Sequence, residues 1–110
     1  LLNHEPELLI RGLDISMILD GKDLSDANRH VCLSFKNVLC HKHTSERFTA
    51  EMYDAYDTVV EIVDSEWLMT MKKMNETDFN FWQPKHFAVY LDGMGLYQFV
   101  AKGFEKTALS

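Results

Sequence analysis

Between residues 13 and 19 the chain reads LDISMIL, with Leu13, Ile15, Met17 and Leu19 pointing one way and Asp14 and Ser16 the other. Period-2 alternation of this kind fits a strand with one face on a core and one in water. It does not fit a helix, whose apolar positions recur every 3.6 residues. The run RHVCLSFKNVLCHKH alternates in the same way, with Val31, Leu33, Phe35 and Leu39 on one face. The polar stretch DGKDLSDAN between the two runs has turn chemistry, so the pair reads as an antiparallel hairpin. A strand as long as the second one usually bends, and Asn37 is the position expected to carry a bulge.

The remaining elements build on that hairpin. Residues 49 to 63, TAEMYDAYDTVVEIV, place Met52, Tyr53, Tyr56, Val59, Val60 and Val63 on a helical face opposite acids, yet TVVEIV is β-branched and strand-like. The preferred reading is a helix over 50–57 and a strand over 58–63, with a single helix to 63 as the alternative. DSEWLMTMKKMN has a capping residue at Asp64 or Ser65. Trp67, Leu68, Met71 and Met74 follow the helical period, and Lys72 and Lys73 lie near the C-terminal end. ETDFNFWQPK reads as an aromatic loop. HFAVYL, DGMG and LYQFVAKGFE then form a hairpin around a glycine-containing turn. The expected fold is α+β: one domain over 1–110, in the order β-β-α-β-α-β-β. It has an antiparallel sheet of about five strands with two helices packed on one face.

A chain of 110 residues can bury one core unaided. No apolar run is long enough to span a bilayer, and LLNHEPELLI lacks the basic start and unbroken apolar core of a signal peptide, so a cytoplasmic protein is expected. The net charge of -6 leaves no basic excess to neutralise phosphates, which argues against nucleic-acid or anionic-membrane partners. All of that charge comes from one segment. Glu51, Asp54, Asp57, Glu61, Asp64 and Glu66 lie between Phe48 and Met71 with no Lys or Arg among them, and elsewhere acids and bases balance.

VDSEWL, KHFAVYLD and LYQFVAKGFE together resemble a group of small bacterial α+β proteins of unassigned function. In these a strand leads into a Ser-x-Trp-Leu helix, and a C-terminal hairpin ends Val-Ala-x-x-Phe-Glu. Such proteins occur on mobile gene cassettes and among immunity-like or accessory proteins. The resemblance covers roughly the C-terminal half of the chain. It implies the fold and an accessory role, and it brings no catalytic residues with it.

CHKHTSE, residues 40 to 46, raises the question of a metal site. His41 and His43 share one strand face about 7 Å apart, and His86 or an acid would have to supply a third ligand. A structural zinc site needs four ligands at recognisable spacing and a catalytic one three. That pattern is missing, so the histidines are read as solvated residues at a strand end and no cofactor is expected. Cys32 and Cys40 stand eight residues apart in the sequence. Along a continuous strand that separation is roughly 26 Å, far beyond the reach of about 7 Å between Cα atoms that a disulfide requires. They are read as separate thiols. DGKDLSD lacks the alternating ligands and correctly placed Gly of an EF-hand loop, and reads as a turn. The GxSxG, HExxH, P-loop and GxGxxG motifs are all missing. Cys40 and its neighbour His41 point to opposite faces of a strand and so cannot pair.

Two readings of function follow. In the first, the chain is a non-enzymatic interaction protein. Its acidic face of Glu51, Asp54, Asp57 and Glu61 would dock a basic protein, since clustered carboxylates steer association with Lys- and Arg-rich partners. Phe79, Phe81 and Trp82 would form a partner or dimer contact. A homodimer is expected for a small sheet with two edges to protect. In the second reading, a pocket between sheet and helices is lined by Trp67, His86, Tyr90 and Tyr97 and holds a small molecule or supports modest acid–base chemistry.

Overall fold

The computed structural model describes residues 5–22, 28–49, 58–91 and 93–109. Along them run β1 (Glu7–Arg11), β2 (Asp14–Lys22), β3 (Asn28–Lys36), β4 (Cys40–Thr44), a 3-10 turn (Glu46–Phe48) and β5 (Val60–Glu61). There follow α1 (Glu66–Met74), α2 (Glu76–Trp82), β6 (Lys85–Leu91), β7 (Gly95–Ala101) and β8 (Gly103–Leu109). The class is α+β, as the alternation implied. The expected single sheet of about five strands is replaced by two antiparallel four-stranded sheets, ordered β1-β2-β3-β8 and β4-β7-β6-β5.

The difference arises at Asn37. Its backbone is left-handed (φ 51), a conformation Asn tolerates better than most residues, and its N–H donates to Asp14 Oδ1 at 3.1 Å. The alternating run therefore does not bulge and continue. It ends β3 at Lys36 and restarts as β4 at Cys40 in the other sheet. The neighbouring strand turns with it: β7 stops at Ala101, Lys102 bends, and β8 begins. Leu39 N–H bonds Val100 O at 2.8 Å and Lys102 N–H bonds Lys36 O at 2.9 Å, so the two-stranded ribbon crosses the corner paired. Val38 fills the inside of the corner, 7% exposed. Strands that pass from one sheet to the other are a standard way for two sheets to close over a shared core.

That core lies between the sheets. Ile15, Met17, Leu33 and Phe35 face Phe87, Val89, Leu91, Tyr97, Phe99 and Ala101. The Phe35 and Phe99 rings stack with centroids 3.9 Å apart. The sequence pattern explains which sheet is covered twice. β2 and β3 alternate because one face of their sheet meets the core and the other is only partly covered. β6 and β7 are nearly continuous apolar runs because both of their faces are buried. On the second face Ala88, Tyr90 and Leu96 pack with Val60 and Ile62, and α1 lies against β6.

Four further expectations need correction or placement. The strand expected over 58–63 contracts to Val60–Glu61, because the chain turns at Val63 and Asp64 to enter α1. The aromatic loop is helical: Asn75 Oδ1 accepts the Asp78 N–H at 3.1 Å, Asn75 Nδ2 donates to Asp78 Oδ2, and Gln83 closes α2 in a left-handed conformation. β1 had no counterpart in the sequence reading. The helix expected over 50–57 and the centre of the DGKDLSD turn lie outside the described residues.

Candidate functional site

The helix expected from Asp64 or Ser65 begins at Ser65, whose hydroxyl oxygen accepts the Leu68 N–H at 3.1 Å. That cap places the Ser65 side chain over the outer face of the β4-β7-β6-β5 sheet, where His86 of β6 and Gln98 of β7 also point. Ser65 Oγ lies 2.7 Å from His86 Nδ1, and His86 Nε2 lies 2.7 Å from Gln98 Oε1. All three side chains are buried. The proton assignment follows from the partners. The amide oxygen of Gln98 can only accept, so Nε2 carries the ring proton, and Nδ1 is left to accept from the Ser65 hydroxyl. Trp67, in the first turn of α1, closes the cluster edge-on to the imidazole at 5.2 Å. Lys42 Nζ sits 4.4 Å above the Trp67 ring. Burial holds the His86 pKa below its ordinary value, against the opposing effect of the hydrogen bond that the ring donates to Gln98 and with the help of the Lys42 charge.

A serine donating to an imidazole has half the wiring of a nucleophile, but the geometry here suits holding better than reacting. Ser65 is 5% exposed, its oxygen is already engaged by Leu68 N–H, and the far side of the ring meets a neutral amide rather than a carboxylate that could stabilise an imidazolium. The shallow cleft of about 400 Å³ lined by Ser45, Glu46, Arg47, Gly93 and Met94 includes none of these residues.

Of the residues suggested as a pocket lining, Trp67 and His86 touch, and Tyr90 lies on the same sheet face, packed with Ala88 and Leu96. Tyr97 pairs with Val89 and belongs to the inter-sheet core, so the sheet itself separates it from the other three. The same parity separates the suggested metal ligands. His41 and His43 pair with Phe99 and Tyr97, on the side opposite His86. His43 stacks on Tyr97 at 4.1 Å and its Nε2 donates to Met94 O at 2.6 Å, and His41 lies over Phe99. Among the described residues no group of three His, Cys, Asp or Glu could hold a metal ion.

Cys32 and Cys40 are in different sheets and neither is in a disulfide. Cys40 Sγ lies 3.5 Å from Met71 Sδ, and burial pushes its pKa up against the lowering influence of Lys42, which keeps the thiol protonated and unreactive at neutral pH.

Glu61 is exposed on β5, whereas Glu51, Asp54 and Asp57 lie outside the described residues. On α2, Phe79 and Trp82 are half-buried and Phe81 is 74% exposed, edge-on to Trp82. The exposure of Met69 (61%) and Met74 (80%) on α1 was not anticipated, although Met69 falls off the Trp67–Leu68–Met71 face. The polar cluster was missed too. Its one sequence signal was a Gln within the apolar run LYQFVA, which the register sets diagonal to the His that opens HFAVYL. Comparison of the chain with protein-family models, with curated proteins and with solved structures found no match.

Proposed function

We propose that the chain is a non-enzymatic protein-binding domain, an accessory or immunity-like protein whose contact surface is carried by the α1–α2 segment. One observation carries this reading. Met69, Met74 and Phe81 are largely open to solvent on two short helices, next to a core that is otherwise well filled. Scattered apolar residues on a surface need no explanation, but several large ones on one supersecondary unit suit a contact in which a few aromatic and Met side chains supply most of the affinity. Val63, 79% exposed just before α1, extends the same segment. The acidic residues of 51–66 would give that contact a preference for a basic partner and make association salt-sensitive. Self-association through the same residues is the second form the contact can take.

The test compares wild type with a Met74→Ser, Phe81→Ser double variant, both immobilised and exposed to the same cell extract, alongside sedimentation of each. A protein or second copy retained by wild type and lost with the variant supports the reading. Identical retention and identical sedimentation would overturn it.

A further inference from the structure

The Ser65–His86 bond ties the N-terminus of α1 to the middle of a sheet. With a neutral ring each of the three protons that link the cluster has one acceptor. Leu68 N–H donates to Ser65 Oγ, Ser65 donates to Nδ1, and Nε2–H donates to Gln98. A second ring proton, on Nδ1, breaks that order. Ser65 must then accept from both the backbone and the ring, and its own proton loses its acceptor in a site only 5% exposed.

The surrounding charges do not favour an imidazolium. β4 presents Lys42, held over Trp67, and the neutral Cys40 thiol, while β7 presents the uncharged Gln98. Asp64 and Glu66, which flank Ser65, are exposed, and Glu61 of β5 pairs with Phe87, on the opposite parity from His86. The imidazole is already biased towards its neutral form by burial.

We propose that His86 is an acid-operated latch on α1: its neutral ring holds the helix N-terminus on the sheet, and gain of a second ring proton releases it. Release would alter how the α1–α2 segment is presented. The latch itself holds whether or not that segment binds a partner.

Hydrogen exchange of the intact chain at pH 7.5 and pH 5.0, corrected for the intrinsic pH dependence of exchange, reads the latch directly. A histidine that titrates near 6.5 once released, and stays neutral while docked, shifts the opening equilibrium at pH 5.0 by up to about thirtyfold. Protection of the α1 amides from Leu68 to Met74 is therefore expected to fall by about that factor and to lie well below that of β6 and β7 at both pH values, because α1 opens while the sheet stays folded. The change should vanish in His86→Gln. If that variant does not fold, Ser65→Ala serves instead, with α1 protection already reduced at pH 7.5 and a weaker pH response. Protection of α1 equal to that of β6 and β7 at both pH values would mean that α1 opens only with global unfolding and would overturn the latch. So would an acid-sensitive α1 that persists without His86.

Discussion

Replacing Ser65 with alanine removes two interactions at once, the cap on α1 and the bond to His86. Loss of the cap on α1, where Ser65 Oγ accepts the Leu68 N–H, costs about 1 kcal/mol. The same change leaves His86 Nδ1 buried without a donor, which costs about 1–3 kcal/mol. The expected loss is about 2–4 kcal/mol, a large share of the roughly 5–15 kcal/mol by which domains are stable. At roughly 4 °C per kcal/mol for a domain of this size, Tm should drop by about 8–16 °C. Urea unfolding followed by tryptophan fluorescence and by circular dichroism measures the change and checks that the two probes agree. A cycle with His86→Ala separates the two contributions. If the imidazole bond is what matters, the effect of Ser65→Ala shrinks once His86 is gone, with a coupling energy of about 1–2 kcal/mol. A single-variant loss under about 0.5 kcal/mol, or no coupling, would show that the cluster does not lock α1 down.

Two other outcomes follow from the geometry. Gly95 has φ 106, and a Cβ there would run into the backbone of Thr44 and Glu46, so Gly95→Ala should destabilise by more than about 2 kcal/mol, measured in the same urea assay, and a neutral result would show that the 3-10 turn can move aside. Stability should be flat between pH 6.5 and 9.0, the ordinary values for histidine and cysteine. It should fall below 6.5 because His86 is depressed, so that the unfolded chain binds its proton first, and above 9.0 because Cys40 is raised, so that the unfolded chain releases its proton first. Thermal melts extended below pH 6.5 and above pH 9.0, repeated with His86→Gln and Cys40→Ala, check each limb, and a limb that survives its variant belongs to another group.

Local elements follow from the residues alone wherever one physical signal dominates. The alternation in 13–19 and 31–35 made strands with one buried face. The nearly continuous apolar runs in 86–91 and 96–101 made strands buried on both. Ser65 followed by apolar positions at helical spacing made α1. The Asn75-x-x-Asp78 cap ahead of Phe79 carries the same kind of signal and starts α2 in the stretch expected to be an aromatic loop.

How many sheets those strands form rests on contacts between distant parts of the chain. Asn37 is compatible with a bulge within one sheet or a corner between two, and the choice rests on the Asp14 bond and on the paired turn of β7 into β8, both distant in sequence. The same holds for the side chains suggested as functional. Whether His86 shares a face with Trp67 or with His41 depends on which strands are neighbours and in what register. A one-residue step in register carries a side chain to the other face, so residue spacing along the chain could nominate His41, His43, His86 and Tyr97 but could not bring them together. Packing placed His86 between Ser65 and Gln98 instead, because a buried imidazole needs a partner for each ring nitrogen and the fold supplied both.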